Sequence, residues 1–318
     1  MNLNALRFVV AVSRERNFRR AAERCFVTQP ALSLAIRKLE DEIGIQIFER
    51  SRTEVTVTPV GARVVEQAQR VLDEAAKINA LAKEGGDPLV GPLRLGAIFT
   101  VGPYLLPELI PQLKRRAPHL QLEVEENTTA NLENQLRNGA LDAVLIALPF
   151  GAPGMVTFPL YDEPFQVLVS AEHPWAGRSE IRAAELAGQR VLLLNSGHCF
   201  SNQVVEACPD LTARGNDIQQ GNSLETIRNM VASGLGISVL PCSANSGRYR
   251  GKMTRAIAFA KPVPSRRVAI AWRKSFSRAA AIEAIARAVW DLKMPGLSML
   301  GLDHPQARPL KQMQPRAG

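Results

Sequence analysis

Nine residues, EGGDPLVGP from Glu84 to Pro92, separate two stretches that obey different hydrophobic periods. Before them apolar residues recur every three or four positions, the repeat of helices buried on one face. After them short apolar runs alternate with helical segments, the pattern of α/β units. With three glycines and two prolines the break continues neither helix nor strand and reads as a linker or hinge. Any fold must therefore join a mainly helical head to an α/β body through this point.

The head, residues 1–58, reads as three short helices and a ribbon. NLNALRFVVAVSRER places Leu3, Leu6, Val9, Val10 and Val12 at helical spacing. NFRRAAERC makes a second helix with Asn17 as N-cap, and VTQPALSLAIRKLEDEIG a third. Thr28 is the expected cap of the third, Pro30 is tolerated in its first turn, and Gly44 stops it. Leu32, Ile36 and Leu39 share one face, which leaves Ser33, Arg37 and Lys38 on the other. IFERSRTEVTVTP then alternates like a two-stranded wing.

Residues 59–85 form one long helical pattern. Val60, Val64, Ala68, Val71, Ala75, Ile78 and Ala82 make a narrow seam of the coiled-coil kind, which predicts a dimerisation helix, the alternative being packing on the chain's own core. Residues 86–92 are the hinge. From residue 93 the strands LRLGAIF, LQLEVEEN, LDAVLIAL, FQVLVSA, RVLLLN, GISVLP and RRVAIAWR alternate with helices, which predicts mainly parallel sheets. They are too many for one small sheet, so residues 93–301 are expected to form two lobes, lobe I from about 93–161 and 267–301 and lobe II from about 162–266. Residues 302–318, rich in Pro and Gln, read as a disordered tail.

No apolar run reaches membrane-spanning length, and Phe8–Val12 is too short for a signal-peptide core, so a cytoplasmic location is expected. The net charge of +9 favours an anionic partner, nucleic acid first. No group of histidines and cysteines has metal-ligand spacing, and no cofactor is expected. Of the four cysteines, Cys25 and Cys242 read as small buried hydrophobes. Cys199 and Cys208 lie nine positions apart in NSGHCFSNQVVEACPD, too wide for a metal or thioredoxin-type pair.

The second and third helices, joined by a tight FV turn, fit a helix-turn-helix, whose second helix presents its first residues to base edges. Gln29 suits adenine, Ser33 a base or phosphate, Arg37 guanine or phosphate, and Arg50 and Arg52 in the wing suit phosphate or the minor groove. The first sixty residues, with the α/β remainder, resemble a LysR-type transcriptional regulator from the N-terminus to about residue 300. The resemblance implies an α/β protein with a winged helix-turn-helix domain, a linker helix and a two-lobed regulatory domain like that of periplasmic binding proteins. It implies a homotetramer built as a dimer of dimers, and promoter-DNA contact by Thr28, Gln29, Pro30, Ser33, Arg37, Arg50 and Arg52. RNA polymerase is the expected further partner.

Within that family GHCFSNQVVEACPD, NSLETIRNMVASGLGISVLP and RLGAIFTVGPYLLP resemble the hydrogen-peroxide-sensing, OxyR-type branch. That resemblance implies Cys199 as peroxidatic thiolate, Cys208 as resolving thiol, Arg266 rather than Arg267 as the helping cation, and Thr100 and Thr129 as hydroxyls that orient peroxide. His198 is the suggestive neighbour of Cys199. A reductant of the thioredoxin or glutaredoxin type is implied too. The chemistry agrees: a thiolate attacks peroxide, and a second thiol condenses with the sulfenic acid. Nine helical steps would hold the two cysteines roughly 13–14 Å apart, whereas a disulfide needs Cα atoms about 5–6 Å apart. Bond formation would then unwind or swing the segment and pull Val204 and Val205 from their packing sites. The alternatives are a metabolite-responsive regulator of the same family with incidental cysteines, and less so a thiol peroxidase or cysteine hydrolase. No Asn or Asp is identifiable to orient a Cys–His pair, so the chain is not expected to be an enzyme.

Overall fold

A computed structural model of the chain describes residues 1–50, 55–82, 87–195, 197–213 and 218–301. The head contains α1 (Leu3–Glu15), α2 (Phe18–Arg24) and α3 (Gln29–Ile43) around Leu6, Val9, Val12, Phe18, Ala21, Leu32, Ile36 and Leu39. Asn17 caps α2 as expected, accepting the N–H groups of Arg19 and Arg20. Thr28 stands at the N-cap of α3, but its hydroxyl makes no capping bond. Pro30 removes one of the two N–H groups that such a cap accepts, because it has none. Gly44 ends α3 at φ +71°. β1 (Phe48–Arg50) and β2 (Val55–Val57) pair antiparallel as the wing. Its tip, with Arg52, and the side chain of Arg50 lie outside the described residues.

α4 (Pro59–Ala82) carries the expected seam, divided between two environments. Val64, Ala68 and Val71 pack on the head core, while Val60 and Ile78 stand exposed. Residues 83–86 lie outside the described residues. The expected hinge 86–92 is shorter than its composition suggests, because Gly91 and Pro92 already pair in β3 (Gly91–Ile98).

The body follows with α5 (Gly102–Arg116), β4 (Leu120–Asn127), α6 (Thr129–Arg137), β5 (Ala143–Ala147) and the long β6 (Met155–Ser170). Then come β7 (Glu180–Ile181), β8 (Val191–Leu194), α7 (Cys199–Ala207), α8 (Asp210–Ala213), β9 (Ile218–Gly221), α9 (Leu224–Ala232), β10 (Ile237–Pro241) and β11 (Thr254–Phe259). β12 (Ser265–Arg273), α10 (Ala279–Trp290) and β13 (Ser298–Met299) close it. The strands run in the order β4-β3-β5-β12-β6-β10-β8-β9. The sheets are mixed, not mainly parallel. β3 lies parallel between β4 and β5, and β8 parallel between β9 and β10, but β6 is antiparallel to β10, β11 and β12.

Two cores result, one against β3–β5 and β12, the other against β6, β8 and β10. β6 passes through both: it pairs with β12 up to Pro164 and with β10 and β11 from Phe165. The chain thus crosses between lobes at two adjacent strands. Residues at that crossing face both lobes, and the chemistry described next collects there.

Candidate functional site

β6 and β12 pair so that Glu163 faces Arg266 and Asp162 faces Arg267. Because strand side chains alternate, one pair points in and the other out. Arg267 and Asp162 form a half-exposed bridge at 2.7 Å. Arg266 and Glu163 are fully buried, joined at 2.7 Å from Nη2 and 2.8 Å from Nε. Arg266 also donates to Thr100 through Nη1 to Oγ1 and Nη2 to the carbonyl, each at 2.8 Å, and lies 5.2 Å from the Phe200 ring centroid. Its guanidinium is therefore held on all sides. Burial pushes its pKa down, but Glu163, with smaller help from Tyr161 and Cys199, pushes it up and prevails. Cys199 thus lies within electrostatic reach of a cation that stays charged.

Cys199 is half-buried at the first position of α7, after His198 at the N-cap. The first turn of a helix leaves unpaired N–H groups that favour an anion. α7 belongs to lobe II, yet Cys199 packs against the core of lobe I, and Gln203 donates to the Leu148 carbonyl at 3.0 Å. The His198 ring stands edge-on to Phe99 at 5.7 Å. Burial holds the His198 pKa below its usual value, a hydrogen bond with the Asn222 backbone opposing. His198 is thus neutral near pH 7, and Arg266 supplies the positive charge.

Thr100 and Thr129 follow the ends of two paired strands. Ile98 of β3 pairs with Asn127 of β4, and each threonine follows its strand by two residues. Both stand past the carboxyl ends of parallel strands, where open α/β sheets leave a crevice. Thr128 takes the cap of α6, accepting from Asn131. The Thr129 hydroxyl is buried without a hydrogen-bond partner among the described residues. A buried unsatisfied hydroxyl costs about 1–3 kcal/mol, which fits a group kept for a ligand.

Cys208 is at the other end of α7, buried at its C-cap, its N–H on the Val204 carbonyl at 2.9 Å. Burial, then Asp210, pushes its thiol up to about 11, so it is protonated at neutral pH. Both thiols are free, and the helical rise of ~1.5 Å per residue keeps them at opposite ends. Val204 is buried and Val205 half-buried in the lobe II core. Cys242 is buried beside Glu163, as its reading as a hydrophobe expects, and Cys25 is half-buried in the head. No group of metal-binding residues occurs among the described residues.

Sequence reasoning did not find Glu163, Phe200, Phe99 or Gln203. A signal for Glu163 existed: the acidic pair in LYDEPF matches the basic pair in PSRR once the strands are set side by side, but register is not legible from either segment alone.

In the head Thr28, Gln29, Pro30 and Arg37 are exposed at or along α3, and Ser33 is half-buried. They form one face opposite Leu32, Ile36 and Leu39. Fold and site together define a winged helix-turn-helix protein with a two-lobed, thiol-bearing body. A family model described as "Bacterial regulatory helix-turn-helix protein, lysR family" matches residues 3–62, and "LysR substrate binding domain" matches residues 86–292. The chain belongs to the LysR family. It is 39% identical over 289 residues, 91% of this chain and 95% of the relative, to the "DNA-binding transcriptional dual regulator OxyR" of Escherichia coli K12. It superposes at TM-score 0.82 and 51% identity on a full-length cysteine-to-aspartate variant of OxyR from Pseudomonas aeruginosa, covering 91% of this chain and 97% of that one. A peroxide-bound cysteine-to-serine variant of Corynebacterium glutamicum OxyR is similar at TM-score 0.61 and 34% identity, with 91% of each chain covered. No helix among the described residues is long and apolar enough to cross a membrane.

Proposed function

We propose that the chain is a DNA-binding transcription regulator that responds to hydrogen peroxide through Cys199. The observation that carries this reading is the placement of Cys199 beside the buried Arg266, at one end of a helix that holds Cys208 at the other. The Cys199 thiolate attacks one peroxide oxygen, the O–O bond breaks, and the other oxygen leaves as hydroxide that takes up a proton to become water. Arg266 steadies the anionic sulfur, while the Thr100 and Thr129 hydroxyls orient the peroxide and the departing oxygen. Cys199 is now a sulfenic acid. The Cys208 thiol condenses with it, forming the disulfide and releasing a second water.

The condensation cannot occur across an intact α7, so it converts oxidation into a change of shape. That change moves the contacts of a homotetramer and its grip on promoter DNA, through Thr28, Gln29, Pro30, Ser33, Arg37, Arg50 and Arg52, and so the response of RNA polymerase. A thioredoxin- or glutaredoxin-type reductant resets the bond. Support comes from the family, from the names of the relatives, and from the pairing of an accessible thiol with a buried one. The test is Cys199→Ser, with operator binding and peroxide-dependent transcription measured together. The variant is expected to bind DNA and not respond. A response that survives would overturn the reading, and repeated peroxide turnover with a simple thiol would favour a peroxidase.

A further inference from the structure

A second charged cleft, whose lining does not include Cys199, lies where the head meets lobe I. It has a volume of about 640 Å³ and is walled by α1, the turn before α3, α4 and β3. Arg7, Arg14, Arg24 and Arg94 line it, and no carboxylate does among the described residues. Arg24 and Arg94 are held from behind by Glu15 at 2.5 Å and Asp142 at 2.7 Å. Among the described residues Arg14 donates to neutral acceptors only: the Asn138 carbonyl at 2.5 Å and Gln69 Oε1 at 2.8 Å from Nη2. Buried charges ordinarily have a counter-charge. Burial first, then Arg94, Arg24 and Arg273, pushes the Arg14 pKa down to about 10, with Asp142 opposing. Apart from Asn4 and Gln69 the rest of the wall is apolar. Phe8, Val27 and Leu72 contribute, and Phe26, in the left-handed region at φ +56°, leaves 96% of its surface exposed beside the arginines.

The geometry points to this cleft as a binding site for a small organic dianion with a planar apolar body, of the nucleoside-monophosphate class. Guanidinium forks match phosphate oxygens, and a ring stacks on aromatic or guanidinium planes. A ligand there touches α1 and Phe26 of the head, Gln69 of α4, and Arg94 and Gly139 of lobe I. It therefore ties the DNA-binding head to the sensing lobe and adds a second input, independent of the thiols, to operator affinity.

Calorimetric titration of the reduced full-length chain with adenosine monophosphate tests the site, with no peroxide present, so the outcome does not depend on Cys199. Saturable binding is expected, weakened about tenfold or more by Arg14→Gln and by Arg7→Gln and unchanged by Arg115→Gln at a separate cleft. Arg7 is exposed and makes no ion pair among the described residues, so its variant separates lost binding from lost folding. No heat at millimolar ligand overturns the proposal, as does equal binding by the native chain and both cleft variants. Displacement of the nucleotide by duplex DNA of unrelated sequence would overturn it too, assigning these arginines to the DNA backbone.

Discussion

At the scale of single residues, the site depends on two adjacent arginines with opposite fates. Arg266 is committed to Glu163 and Thr100 inside, and Arg267 to Asp162 at the surface. Arg266→Lys keeps the charge but cannot hold both Thr100 and Glu163. One lost charged hydrogen bond is worth about 1.5–3 kcal/mol, or roughly ten- to hundredfold in rate. Stopped-flow oxidation of Cys199 is expected to slow by that factor, while Arg267→Lys leaves it unchanged. The buried thiols make a separate prediction. Burial raises Cys208 to about 11 and Cys242 to about 12, from 9.0 for a free thiol. The folded chain keeps these protons where the unfolded chain has lost them. The stability they contribute is thus complete below pH 9.0 and lost as pH rises towards the folded values. Melting temperature is expected to fall as pH rises from 9 towards about 11 to 12, and less steeply in Cys242→Ala. A flat profile in the native chain would contradict the raised values.

At the scale of elements, α7 is the part that must give way. It is held by Phe200, edge-on to Phe165 at 5.1 Å, by Val204 in the core, by Ser201 on the Leu194 carbonyl and by Gln203 on Leu148. Val204→Ala removes two buried methyl carbons' worth of packing, about 1–2 kcal/mol, from the reduced form alone. The disulfide is then favoured, and its midpoint potential is expected to fall by about 30 mV for each 1.4 kcal/mol. An unchanged potential would mean that Val204 keeps its place on oxidation. Hydrogen exchange across α7 reads the same event directly. Most helices and most strands of this fold were legible from periodicity, and α7 from NQVVEAC, but α8 and the first half of β6, which carries Asp162 and Glu163, were not. β7, β9, β11 and β13 were not: at two to six residues, with exposed or polar positions, they hold their shape only through partners distant in sequence. The candidate site was half legible. Cys199 and Cys208 stand out at either end of one short segment, but their roles, like those of Thr100, Thr129 and Arg266, entered by resemblance. Glu163 and Phe200 needed the fold, because strand register and the return of β12 decide what meets Arg266.

At the scale of the whole molecule, α4 has to serve two surfaces. One side grips the body: Asp73 accepts from Arg273 at 3.0 Å and from Ser275 at 2.8 Å, and Gln69 approaches Gly139 so closely that a Cβ there would lie 2.4 Å from its amide carbon. Gly139 also sits at φ +67°, where alanine would be strained, and its Cβ would displace the Gln69 amide. The other side leaves Val60 and Ile78 exposed, at 50% and 67%, on a helix of 24 residues. Single exposed apolar residues are ordinary, but two that continue the seam of Val64, Ala68 and Val71 fit a second copy of the helix. Ile78→Glu places a charge at such a contact and leaves the head core untouched. If α4 pairs two chains, sedimentation should show the variant shifted to monomer with an unchanged circular dichroism spectrum, and its operator affinity should fall because half-sites are no longer bound together. Gly139→Ala should do the reverse, keeping the dimer while loosening lobe I from α4, so that Cys199 still oxidises but transcription follows weakly. A variant at Ile78 that sediments as the native chain does would make Val60 and Ile78 ordinary exposed residues and place any subunit contact elsewhere.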